Sequence, residues 1–184
     1  MKSNYVFLAD GFEEIEALTV VDVMRRAGMR VRTVSIAQDL EVVGAHHVRV
    51  LADEHISDVE FDDEVDWLVL PGGMPGAVNL LNCEPLCHAL LAHYNCGGNV
   101  AAICASPSIV FGPLGILEGR KATCYPGMEQ GMKGADCVEQ MAVVDGNVIT
   151  GRGPAAAAEF ALAIVEASCG TDTANQVAQG MLLA

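Results

Sequence analysis

Apolar positions recur along the chain in two periods. Tyr5 to Ala9 is an unbroken apolar run that stops at Asp10-Gly11, and from about Glu13 to Arg26 the spacing changes. There Ala17, Val20, Val21, Met24 and Ala27 share one helical face, and Gly28 follows as a stop. Val31 to Ile36 then alternates apolar with polar as a second strand, which completes a β-α-β unit. Glu41 to Leu51 alternates as a short hairpin near the edge of the sheet. Six acidic residues between Asp58 and Asp66 predict a solvated loop, and Trp67 to Leu70 reads as a strand buried on both faces. Pro71-Gly72-Gly73 breaks that run. A helix from about Pro85 to Asn95 leads to Val100–Ile103, a further short apolar strand that ends at Cys104. Beyond it the pattern predicts strands at Ala122–Tyr125, Met141–Val144 and Asn147–Thr150, then helices over Ala155–Ser168 and Asp172–Met181.

Strands alternating with helices predict an α/β fold with a mostly parallel central sheet and helices on both faces. Such sheets place ligands at the carboxyl ends of their strands. Three strand ends carry unusual chemistry: Asp10-Gly11, Pro71-Gly72-Gly73 and Cys104-Ala105-Ser106-Pro107.

A length of 184 residues with 52% apolar composition suits one compact domain, residues 1–184. The formal charge of −14, with ten Lys and Arg, repels nucleic acid and anionic lipid and argues against both as partners. The apolar run near the N-terminus is shorter than a signal-peptide core, and no segment reaches the roughly 18 apolar residues of a spanning helix. A soluble, cytoplasmic protein is expected. Seven cysteines form an odd set without framework spacing, so free thiols are expected, and a free cysteine is ordinarily a small core hydrophobe. Cys83, Cys87, His88, His93 and Cys96 fall within fourteen residues and raise the question of a metal site. Pro85 and a spacing unlike that of zinc ribbons favour a cysteine-rich helix packed on the sheet, with no metal.

Around Cys104 the neighbours Ala102 and Ala105 are small, as a nucleophile on a strained strand-to-helix elbow requires. Pro107 suits a first helical turn whose free amides would face the sulfur and lower its pKa. Glu13, Glu14 and Glu16 open the first helix, where acidic residues are ordinarily favoured by the helix dipole. Glu16 is separable because it lies one turn in, beside the apolar face, where it could turn toward the sheet's end. A carboxyl desolvated there would have a raised pKa and act as a proton donor. Gly72 to Gly76 is either a tight connection or an amide nest; it matches neither a P-loop nor a dinucleotide fingerprint.

Four ordered motifs, Asp10-Gly11-Phe12-Glu13-Glu14-Ile15-Glu16, Leu70-Pro71-Gly72-Gly73, Ala101-Ala102-Ile103-Cys104-Ala105 and Gly151-Arg152-Gly153-Pro154, resemble the ThiJ/PfpI (DJ-one) superfamily, close to its parkinsonism-associated deglycase branch. The resemblance spans nearly the whole chain. It implies a flavodoxin-like sandwich, usually a homodimer, with Cys104 as a redox-sensitive nucleophile and Glu16 as its protonated partner. Gly72, Gly73 and Ala105 would supply backbone donors. Tyr125 stands where the family often has histidine, and all five histidines precede Cys104, so the Cys-His arrangement of a peptidase has no downstream donor. Arg26 matches a pocket arginine of the family and His46 replaces a second one. Arg152 matches the arginine of the Arg-Gly-Pro segment.

The resemblance implies cofactor-independent chemistry on a small reactive carbonyl or glycated substrate, of glyoxalase or deglycase type. The alternative is a non-enzymatic redox sensor or chaperone acting through oxidation of Cys104. Cysteine peptidase and thiazole-phosphate biosynthesis roles rank below these. Cys124, at the end of the next expected strand, would then be placed to resolve an oxidised Cys104 as a disulfide.

Overall fold

The computed structural model describes residues 2–62 and 64–183; Asp63 of the acidic loop lies outside them. The chain runs β1 (Ser3–Leu8), α1 (Glu14–Arg26), β2 (Arg30–Ser35), β3 (Glu41–Val43), β4 (Arg49–Leu51), β5 (Glu54–His55), β6 (Val65–Leu70), α2 (Gly76–Leu81) and α3 (Glu84–Asn95). It continues through β7 (Asn99–Ile103), β8 (Lys121–Ala122), β9 (Asp136–Cys137), β10 (Ala142–Asp145), β11 (Val148–Gly151), α4 (Ala157–Cys169) and α5 (Thr171–Gly180). Seven strands form the central sheet in the order β10-β11-β7-β6-β1-β2-β5, parallel except for the β10–β11 pair.

Alternation along the central strands explains the two layers. Val6, Leu8, Val69, Ala101 and Ile103 face α1, α4 and α5, where they meet Val20, Met24, Phe160 and Ile164. Phe7, Leu68, Leu70, Val100 and Ala102 face α2, α3 and the segment after β7, against Leu80, Leu90 and Phe111. Each of the large side chains contributes about 1.5–3 kcal/mol through burial, and together they hold the ends of β1, β6 and β7 in one plane. Trp67 is buried with its indole N–H donating to Ser168 Oγ at 2.7 Å, which ties β6 to the end of α4.

The expected strand and helix boundaries hold within a few residues, with three differences. β8 is only Lys121–Ala122 and pairs with β9 outside the central sheet, so Thr123 and Cys124 belong to no strand. The six-residue helix α2 has too short a period to be seen in the pattern. The β3–β4 hairpin is a sheet of its own seated over the start of α1, through Gly11 N to Val43 O at 2.8 Å and Ala45 N to Phe12 O at 2.8 Å, and the edge position is taken by β5.

Candidate active site

The carboxyl ends of β1, β6 and β7 converge, and their loops supply one cluster. Cys104, directly after β7, has φ +65°, a left-handed conformation that costs a non-glycine residue about 1–3 kcal/mol. Two backbone bonds hold it there: its N–H donates to Gly151 O at 2.8 Å and its carbonyl accepts from Tyr125 N at 2.8 Å. The chain then turns through Ser106, whose hydroxyl donates to Pro71 O at 2.6 Å. Pro107–Phe111 forms a single wide turn closed by Gly112 N to Pro107 O at 2.9 Å, rather than an ordinary helical start.

Glu16 is fully buried, and Oε2 accepts the Gly72 amide at 2.8 Å. Its other oxygen, Oε1, is buried without a hydrogen-bond partner, and the titratable group that interacts with this carboxyl across the site is the Cys104 thiol. Burial raises the Glu16 pKa to about 7, against the lowering effect of the nearby Cys104 thiol and of the Gly72 amide, and the Glu13 charge adds to the rise. Gly72 has no room for a side chain: a Cβ there would sit 2.7 Å from Cys104 Cβ and 2.8 Å from Glu16 Oε2.

Two expectations for this cluster are corrected. The thiol pKa of Cys104 is raised, not lowered, chiefly by burial and then by the Glu16 charge and hydrogen bond; the Gly73 and Ala105 amides oppose that rise without cancelling it. Gly72 is not a free donor, because its amide is committed to Glu16. The amides that act on the sulfur to lower its pKa are those of Gly73 and Ala105.

The flanking residues divide. Tyr125 is half exposed, lies over Gly153, and with Pro126, Met141, Arg152 and Pro154 lines a cavity of about 230 Å³. Arg152 approaches Glu139 at 3.6 Å. Arg26 is far from the cluster: it pairs with Asp22 at 2.7 Å at the other end of α1, ten residues and roughly 15 Å along the helix from Glu16. Cys124 belongs to the core layer on one side of the sheet and Cys104 to the layer on the other, and Cys124 lies outside the strand expected to carry it.

His46, in the hairpin loop, was placed by resemblance alone, and its strongest contacts were not visible in the sequence. Its Nδ1 lies 2.8 Å from Glu14 Oε2 and 3.7 Å from Glu13 Oε2. The Glu14 hydrogen bond raises the His46 pKa, and the Glu13 and Glu14 charges add to it. One donor atom from each of the three residues falls within 4.8 Å of the others, an arrangement that could hold a cation. Glu14 is already engaged, with Oε1 accepting from His46 N at 2.7 Å, so the contact reads as the clasp between hairpin and α1. Of the Cys83 to Cys96 group, the Cys87 thiol donates to Leu81 O at 3.2 Å and His93 Nε2 bonds Asp66 O at 3.0 Å. Among the described residues that group does not bring three metal donors together.

Known proteins are similar to this chain in sequence and in fold. The model of the DJ-1/PfpI family matches residues 2–167. Protein DJ-1 homolog B of Arabidopsis thaliana is 39% identical over 176 residues, which is 96% of this chain but 40% of that protein, so the chain spans well under half of that relative. The glutathione-independent glyoxalase DJR-1.2 of Caenorhabditis elegans is 32% identical over 174 residues, 94% of this chain and 91% of its own. The solved structure of oxidized Toxoplasma gondii DJ-1 superposes with a TM-score of 0.94 at 35% identity, covering 99% of this chain and 98% of that one.

Proposed function

The chain belongs to the DJ-1/PfpI family, and from that premise we propose that it is a cofactor-independent glyoxalase or deglycase, with Cys104 as nucleophile and Glu16 as the group that moves the proton. The observation that carries this reading is the fully buried Glu16 carboxyl, one oxygen unpartnered, set against a thiol held at φ +65°. The glyoxalase named among the relatives supports the substrate class.

The chemistry follows from the shared proton. When the pair has lost one of its two protons, the remaining one sits on oxygen or on sulfur. The Gly73 and Ala105 amides lower the cost of charge on sulfur, so the thiolate with a protonated Glu16 is the minor form through which attack proceeds. That thiolate attacks the aldehyde carbon of methylglyoxal, and Glu16 gives its proton to the developing oxyanion. The hydrogen on the former aldehyde carbon then moves as a proton to the neighbouring carbonyl carbon, by way of an enediol, with Glu16 as the base. The resulting thioester of a 2-hydroxy acid is hydrolysed by water. The sum is methylglyoxal plus water giving lactate, with no external oxidant or cofactor. Deglycation applies the same attack to a glycated side chain.

Other parts of the reading extend from the same site. Tyr125, whose amide holds the Cys104 carbonyl, and Arg152 line a cavity beside the elbow, and on this reading they would be the outer wall of the substrate site. Ile15 and Leu18 on α1 and Val48 and Leu51 on the hairpin are apolar side chains left exposed, Leu51 at 73%, and on this reading they carry the contact of a homodimer. All seven cysteines are free, which fits a reducing, cytoplasmic setting, and no helix among the described residues is long and apolar enough to cross a membrane. The second reading, a redox sensor through Cys104, has one observation in its favour: the amides that would hold a thiolate would equally hold a sulfinate oxygen.

The test is lactate formation from methylglyoxal by the wild-type protein beside Cys104→Ser and Glu16→Gln. Loss of at least about 100-fold in both variants supports the enzyme reading. No turnover in the wild type, together with stoichiometric oxidation of Cys104 by peroxide, replaces it with the sensor.

A further inference from the structure

Cys124 and Cys137 both line a cavity of about 170 Å³, whose walls also carry Thr123, Glu129, Met132 and Arg152. Cys124 is buried and Cys137 is exposed. The pairing of β8 with β9 sets Ala122 opposite Cys137, and Cys124 is two residues on. With strands about 4.8 Å apart and about 3.3 Å of rise per residue, a position two residues beyond that pairing lies roughly 8 Å from Cys137 at Cα. Thr123 adds a hydroxyl that is buried without a hydrogen-bond partner and borders the same space. The cavity shares Arg152 with the one beside Tyr125 but is lined by neither Cys104 nor Glu16, and no step of the proposed reaction uses Cys124 or Cys137.

We propose that Cys124 and Cys137 are a second redox site, a dithiol that a hydroperoxide converts to an intramolecular disulfide independently of Cys104. Cys137, reached by solvent, attacks the peroxide: the O–O bond breaks, an alcohol leaves, and the sulfur becomes a sulfenic acid. Cys124 then attacks that sulfur, the S–O bond breaks, and the oxygen leaves as water with the proton released by Cys124. Two thiols and one hydroperoxide become one disulfide, one alcohol and one water, so two electrons pass from sulfur to the peroxide. The Thr123 hydroxyl is placed to donate to the departing oxygen. Bridged cysteines have Cα atoms about 4.4–6.8 Å apart, so closure draws β9 inward by roughly 1–3 Å. The cavity supplies the space, and two-residue strands outside the central sheet supply the freedom. The bridge would lie one residue from Tyr125, whose amide holds the Cys104 carbonyl.

The experiment uses the full chain with Cys104→Ser, treated with tert-butyl hydroperoxide, digested without reductant and mapped by mass. The expected result is a loss of two hydrogens from the intact protein, a peptide pair joined through Cys124 and Cys137, and no such pair when Cys137→Ser is added. Cys137 passing to sulfinic acid with Cys124 still a free thiol overturns the proposal. So does a loss of two hydrogens that maps to any other pair. Neither result depends on whether the protein turns over aldehydes.

Discussion

A carboxyl as deeply buried as Glu16 is easier to hold neutral than charged, and this gives the folded chain a measurable pH dependence. Its folded pKa, about 7, stands above the ordinary 4.5. Between those values the folded protein keeps a proton that the unfolded chain has already released. Stability therefore falls as pH rises through that window and is level above it. At about 1.4 kcal/mol per pKa unit the full loss is about 3 kcal/mol. Urea unfolding of the wild type at about pH 5 and about pH 8 should show this drop, while Glu16→Gln, which has no proton to lose there, should show only what other groups contribute. An equal drop in both proteins would assign the slope elsewhere.

At the scale of elements, the site is the meeting of three strand ends, and its tolerance is set by how closely their loops approach. Gly72 is where the β6 loop crosses the elbow after β7, and an added Cβ would also come within 3.0 Å of the Ala105 amide. Gly72→Ala should destabilise the fold by about 1–3 kcal/mol, read from thermal or urea unfolding. It should also speed alkylation of Cys104, because the methyl group must push Glu16 or the elbow aside. Unchanged unfolding would mean that the loop yields without cost.

At the scale of the molecule, the apolar face made by α1 and the hairpin is opposed by charge, since each chain carries a formal −14. Association through Ile15, Leu18, Val48 and Leu51 should therefore strengthen as salt screens the repulsion. Light scattering on the wild type should give the mass of a dimer, and Leu51→Asp, which sets a new carboxylate into the face, should give that of a monomer at the same concentration. A dimer unmoved by Leu51→Asp would put the contact on another surface.

The local part of this structure was legible in the order of residues. Periods of two and of 3.6, stopped by Gly28 and by Pro71-Gly72-Gly73, determined the strands, most helices and the α/β class, because those patterns depend on neighbours a few positions apart. The small residues around Cys104 marked an elbow for the same reason. Tertiary structure decided what depends on residues distant in the chain. It committed the Gly72 amide to Glu16, 56 positions away, and set His46 against Glu14, 32 positions away. It brought Cys124 and Cys137 to the lining of one cavity. It also raised the Cys104 pKa where the local motif alone argued for lowering it. Desolvation is a property of everything packed around a group, and no stretch of sequence holds that sum.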